Sequence, residues 1–274
     1  MIDASTVAWQ RELEGVPDQL EVLFPGGWGR FEFLRQIDST NRRLLAAPDL
    51  RPDRYHVCVA REQTAGHGRR GRAWASVADA SLTFSLARAL RMGEVPDPSL
   101  SLAIGVGLAC GLSRCGLEGF FLKWPNDLVT RDGAKLAGVL VEARGKQGEY
   151  PAALVVGIGL NCSGADGLRV DRPIADLSDL SGPSDLALGK LFQAIVEEVV
   201  RAWTAFDQAG LSSCIDDLAR IDYLQGRDVV VIDTGDQGRV AGIDPSDGAL
   251  LLAQGEKIKR LYSGEISVRV LGRG

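Results

Sequence analysis

Apolar and polar positions along the chain fall into two rhythms. Arg30–Ile37 alternates as a strand, with Phe31, Phe33 and Leu34 as inward positions. Tyr55–Ala60 and Ser81–Leu86 are apolar, β-prone runs on either side of a polar stretch. Further strands are predicted at Phe120–Lys123, Ala134–Glu142 and Leu154–Asn161. The helical period appears in Pro96–Cys115, mostly apolar and so expected to be buried. It appears again in Asp185–Gln208, where Leu188, Leu191, Ile195, Val199 and Trp203 share one face. Shorter helices are predicted over residues 5–14, over 42–47 and in a segment running to Asp222. A loop rich in Pro and Gly follows the first of these, through Pro25-Gly26-Gly27. From about Leu224 the rhythm shortens. Asp228–Asp233, Gly238–Ile243, Ala249–Leu252, Ile258–Tyr262 and Glu265–Val270 read as strands separated by Gly and Asp turns. The pattern predicts two domains, residues 1–223 and 224–274, the second a small antiparallel β-barrel or sandwich.

Particular residues punctuate these elements. Pro125 lacks an N–H and ends the strand before it, and Asn126-Asp127 is expected to turn. Gly157 and Gly159 alternate, so they share a face and would leave a slot in the sheet, beside Gly138 on another strand. Gly164–Ser184 is long for a structureless connection, which suggests a functional or mobile loop.

Composition narrows the function. The 274 residues suffice for one or two domains with a substantial core. A net charge of −5 gives no global attraction for nucleic acid or an anionic membrane. Five cysteines (Cys58, Cys110, Cys115, Cys162, Cys214) form no C-x-x-C pair and read as buried free thiols of a reducing cytoplasm. His56 and His67 are the only histidines, so no metal site is expected. The charged N-terminus has no signal-peptide core, and no apolar run is long enough to span a bilayer. The expected location is cytoplasmic.

Against this acidic background stands Gln63–Trp74, Q-T-A-G-H-G-R-R-G-R-A-W. Gly66, Gly68 and Gly71 let backbone N–H groups approach a ligand. Arg69, Arg70 and Arg72 add fixed charge of bidentate geometry. Lys123 and Lys135 add charge from strand ends, with Asp127 the one carboxylate among them. Each residue alone also fits a plainer role. Asn126-Asp127 makes a turn, the lysines face water, Trp74 and Trp124 are core, and Asp38 or Ser39 caps a helix. Together they suggest a phosphate ester held beside a flat or slender organic ligand.

Gln63–Trp74, Lys123-Trp124-Pro125-Asn126-Asp127 and Lys135–Glu142 resemble the signature of biotin protein ligases. Asp38-Ser39-Thr40-Asn41 and Gly157-Ile158-Gly159-Leu160-Asn161 match in the same order, and Gly264-Glu265-Ile266-Ser267 is similar to the end of that family's small β-domain. The resemblance implies an α+β fold: a mixed, largely antiparallel sheet with helices on one side, then an SH3-like barrel. It implies that biotin and ATP form biotinyl-5′-AMP, with Mg²⁺, and that a lysine of a biotin carboxyl carrier protein then takes the biotinyl group. By motif, Lys135 would bridge carboxylate and α-phosphate, assisted by Arg69 and Arg72. Asp127 would orient or deprotonate the acceptor lysine. Ser39, Thr40, Asn41, Gln63, Gly66 and His67 would surround biotin, Trp74 would wall it, and Gly138 and Gly159 would make its slot. Lys123, Asn126 and Asn161 would lie near the nucleotide.

The resemblance further implies a possible homodimer and no specific nucleic-acid or membrane partner. The short segment before the first strand suggests the ligase-only type, without the winged-helix domain of members that repress transcription. His67 departs from the arginine usual there, which implies weaker anion holding and a pH dependence. Val77-Ala78-Asp79-Ala80 lacks the proline and glycine usual after the tryptophan. The nearest rival, a lipoate or octanoate ligase, shares the expected architecture but not the arginine-rich loop.

Overall fold

The computed structural model describes residues 11–76, 78–164, 173–183, 186–263 and 267–271. The first sheet contains β1 (Trp28–Ile37), β2 (Tyr55–Gln63), β3 (Ser81–Ala89), β4 (Phe120–Lys123), β5 (Asp127–Thr130), β6 (Lys135–Arg144) and β7 (Ala153–Asn161). Its seven strands run in the order β1-β2-β3-β7-β6-β5-β4. Only β1 and β2 pair in parallel; the other neighbours are antiparallel.

The two faces of this sheet differ because residues alternate along each strand. One face carries Val57, Val59, Leu82, Phe84, Leu86, Val156 and Ile158 into the main core. That core includes α3 (Leu100–Arg114) and α4 (Leu188–Ala209). The two helices approach closely because α3 presents glycines. A Cβ on Gly111 would lie 2.6 Å from Ile195 Cα, and one on Gly107 would lie 2.9 Å from Ala202 Cβ. Leu191, Ile195, Val199 and Trp203 are buried as the helical period predicts, while Leu188 is only half-buried.

The opposite face carries Cys58, Ala87, Ala89, Ala153 and Val155 beneath α2 (Thr40–Leu45). Helices therefore flank both faces, not one side as expected. On this second face lies a row of small residues: Gly138 pairs with Gly159 and Gly159 with Thr83, while Gly157 pairs with Ser85. No bulky side chain from these positions fills the space above them.

Other expectations shift in detail. Of the helix expected over 5–14, residues 5–10 lie outside the described residues, and 11–14 are helical. A further helix, α1 (Val16–Leu23), occupies a stretch expected to be loop. Pro17 suits its first turn, where an N–H would be orphaned anyway. Asp127 opens β5 rather than sitting in a turn, because the hairpin from β4 reverses over 124–126 and pairs Lys123 with Asp127. In the long connection Gly164–Ser184, residues 165–172 and 184 lie outside the described residues. Its described part runs beside the start of β6, with the Lys135 N–H donating to Pro173 O and the Ala175 N–H to Lys135 O.

After α5 (Ile215–Ile221) comes a five-stranded antiparallel sheet. It contains β8 (Asp228–Val231), β9 (Gln237–Ile243), β10 (Leu250–Gln254), β11 (Lys257–Leu261) and β12 (Val268–Val270). Trp124 ties the two sheets together: its ring is buried and its Nε1 donates to Gly248 O at 2.9 Å. No helix among the described residues is long and apolar enough to cross a membrane.

Candidate active site

A cleft of about 1030 Å³ opens over the glycine rows. A buried polar network closes one end. Ser39 caps α2, accepting from the Arg42 N–H. Gln63 Oε1 accepts from the Thr40 N–H at 2.8 Å and from Thr40 Oγ1 at 3.1 Å. Ser85 Oγ lies 2.7 Å from Thr40 Oγ1 and 2.6 Å from Asn41 Oδ1, and its single proton serves one of the two. Asn41 Nδ2 donates to Glu142 at 2.7 Å, and His67 Nε2 lies 3.2 Å from the other oxygen of that carboxylate. The network is joined on every side, which fixes its directions and suits recognition of a polar head group.

The basic loop is a small hairpin. Trp74 N–H donates to Gly66 O, Gly68 N–H donates to Arg72 O, and His67 bridges Ala73. Its tip turns at Arg69–Gly71, with Arg70 and Gly71 both at positive φ, 60° and 69°. Arg69 points into the cleft. One of its nitrogens donates to Asn126 Oδ1 at 3.3 Å; Nη2 is buried without a hydrogen-bond partner. Burial pulls this guanidinium below its ordinary pKa, against the opposing pull of Asp127. A desolvated cation with an unused donor is suited to an anion.

Lys135 Nζ lies 2.5 Å from Asp127 Oδ1 and 5.4 Å above the Trp74 ring. Asp127 and Gly138 are register partners, so the ammonium lies over a strand with no Cβ: one on Gly138 would stand 2.8 Å from Nζ. Asn126 is fixed by its Nδ2–H, which donates to Val139 O. Lys123 and Arg72 also line the cleft.

Two expected residues are not brought into it. Asn161 is buried, and its amide donates to the Lys135 and Ala175 carbonyls, so it holds the start of β6. Gly66 lies beneath the hairpin, where a Cβ would be 3.1 Å from Trp74 O. Gly138, Gly157 and Gly159 line the cleft as expected residues of the slot. Side chains of other elements stand over two of them: a Cβ on Gly159 would lie 2.3 Å from the Trp74 ring, and one on Gly157 would lie 2.2 Å from Asn41 Oδ1. His67 faces Glu142 rather than the arginines' space. The turn after Trp74 is described from Ala78 on, Val77 lying outside; Arg61 grips the Asp79 carboxylate through two nitrogens.

Residues that sequence reasoning missed complete the site. Glu142 joins hairpin and network. Ser85 was legible only as the polar member of an alternating strand. Tyr223, Ile232, Ser267, Val268, Arg269 and Val270 line the cleft from the linker and second sheet. Of the terminal motif, Ser267 lies here, and 264–266 lie outside the described residues.

Residues 33–161 match the biotin/lipoate A/B protein ligase family, and residues 226–269 match the biotin protein ligase C terminal domain. The bifunctional ligase/repressor BirA of Escherichia coli is 36% identical over 248 residues, covering 88% of this chain and 74% of that protein. The biotin–[acetyl-CoA-carboxylase] ligase of Mycobacterium tuberculosis is 32% identical over 249 residues, covering 85% and 90%. The Aquifex aeolicus biotin protein ligase, solved in complex with biotin and ATP, shares the fold with a TM-score of 0.74 at 24% identity, covering 89% of this chain and 100% of that one. Matched in both of its sheets and to relatives over most of their length, the chain belongs to the biotin protein ligases.

Proposed function

We propose that the protein activates biotin with ATP and attaches it to a lysine of a biotin carboxyl carrier protein, through biotinyl-5′-AMP. The observation that carries this reading is one cleft lined both by Lys135, its ammonium over Gly138, and by Arg69, whose Nη2 is buried without a hydrogen-bond partner. Two anions must approach each other in the first step, and fixed positive charge offsets their repulsion. A carboxylate oxygen of biotin bonds to the α-phosphorus as the bond to the β-phosphate oxygen breaks, and pyrophosphate leaves. Lys135 neutralises both oxygens, while Arg69 and Arg72 hold the phosphates. Thr40, Asn41 and Gln63 read the biotin head, and Trp74, now over Gly159, would move to wall the ligand. In the second step the acceptor amine attacks the anhydride carbonyl, losing its proton, and AMP departs. Asp127, the carboxylate that contacts Lys135, would orient that amine.

Among the described residues no group of three Asp, Glu, His or Cys side chains is arranged for a metal ion. Mg²⁺ would enter with the nucleotide as part of the substrate, on phosphate oxygens. We divide the chain functionally at 1–223 and 224–274, with the second domain walling the nucleotide end.

Pyrophosphate release and adenylate formation, measured with biotin, octanoate and lipoate in parallel, test the reading. Turnover with biotin alone is expected. Turnover with octanoate or lipoate instead would transfer the protein to the lipoate side of the family, and none with any acid would overturn the reading.

A further inference from the structure

Arg69 and Arg70 are adjacent yet point apart. Arg69 enters the cleft, whereas Arg70 Nη1 reaches 2.8 Å to Asp233 Oδ1, just past β8 in the second sheet. The divergence follows from the hairpin tip. Arg70 takes a left-handed conformation that side chains other than Asn and Asp rarely adopt, and Gly71 repeats it. Asp233 is itself held: the Ser267 N–H donates to its other oxygen at 2.9 Å. The hydrogen bonds from Ser267 and Arg70 keep this carboxyl below its ordinary pKa. Ile232 and Ser267, on either side of the contact, line the cleft. The fixed tie between the sheets, Trp124 to Gly248, involves a different turn of the second sheet, that between β9 and β10.

We propose that Arg70 and Asp233 form a clasp by which the second sheet orders the anion-binding hairpin, so that Arg70 is a positioning residue and Arg69 the one that meets the nucleotide. The clasp fixes the hairpin tip in the turn that aims the Arg69 guanidinium inward. It also draws Ile232 and Ser267 over the same end of the cleft. Loss of the clasp therefore acts on nucleotide binding before it acts on biotin, whose pocket lies at the far end of the hairpin. The kinetic part of this inference rests on the ligase reading; the ordering part does not.

The test begins with amide hydrogen exchange of the ligand-free protein at Gly68, Arg72 and Trp74, the donors within the hairpin. Asp233→Asn keeps size and the ability to accept from Ser267. Arg70→Asn keeps tolerance of the left-handed backbone. Both should exchange about five- to tenfold faster, and Arg70→Lys should stay within about twofold of wild type. Raising NaCl should speed exchange in wild type and not in Asp233→Asn, since exposed charges are screened. In the pyrophosphate assay, Asp233→Asn should raise the KM for ATP about three- to tenfold, with the KM for biotin and kcat within about twofold. Unchanged exchange in both variants overturns the clasp. Faster exchange with an unchanged KM for ATP overturns its role in nucleotide binding. Wild type that activates no acid would sink the ligase reading alone, because the exchange arms decide the clasp without it.

Discussion

The Lys135 ammonium lies 2.5 Å from Asp127 Oδ1, across a strand where Gly138 supplies no Cβ. The pair links two tasks. On the proposed reading, Lys135 would turn to the two anions as they enter, and Asp127 would face the arriving acceptor amine. Lys135→Ala should slow adenylate formation by about a hundredfold or more, the scale for losing one electrostatic stabiliser. Asp127→Asn should slow transfer by about a hundredfold or more, the scale for a general base, and adenylation much less. Single-turnover quench of each half-reaction separates them. Equal slowing of both halves would mean that Asp127 does no more than hold Lys135.

Gly157→Ala should weaken biotin binding. Its Cβ would stand 2.2 Å from Asn41 Oδ1, so Asn41 must leave Ser85 and Glu142. Displacing Asn41 removes a hydrogen bond it would offer the ligand, worth about 0.5–1.5 kcal/mol, or roughly 2- to 12-fold in Kd. Calorimetric titration with biotin measures this, and an unchanged Kd would remove Asn41 from the site.

Stability should depend on pH through His56, which is buried in β2. Burial lowers its pKa, aided by Arg30 and opposed by Asp49 and Glu32. The unfolded chain therefore takes up the proton first as pH falls. Stability is complete above about pH 6.5, the ordinary histidine value, and declines below it until the folded value is passed. The thermal midpoint should fall further between pH 7.5 and 5.5 in wild type than in His56→Gln; parallel curves would exclude the effect.

Strand and helix periods were legible wherever burial is one-sided or complete, as in L-V-V-G-I-G-L-N and in Leu191-Ile195-Val199-Trp203. The basic loop, Lys135 and Asp127 were legible as clustered chemistry, because glycine and charge together mark a backbone that must approach an anion. What escaped depends on long-range pairing. Nothing local in Asn161 says that its amide is spent on the Lys135 and Ala175 carbonyls. The Trp74 ring that stands over Gly159 comes from a hairpin distant in sequence. Asp233 meets Arg70 only once two sheets are docked. Glu142 sat inside a quoted motif, yet its two partners come from α2 and the hairpin, so spacing could not single it out.

The pairing of β3 with β7 joins Ser81 to Asn161 and Ala89 to Ala153, with three strands and a helix between them in sequence. Closing so long an intervening segment costs chain entropy before any contact repays it, which makes such pairings slow and late in folding. The floor of the cleft is built from this pairing and its β6 neighbour. A partly folded chain thus has no cleft to bind with. A small molecule that fits there should leave the refolding rate unchanged and lengthen the lifetime of the native state, acting as a kinetic lock rather than a folding template.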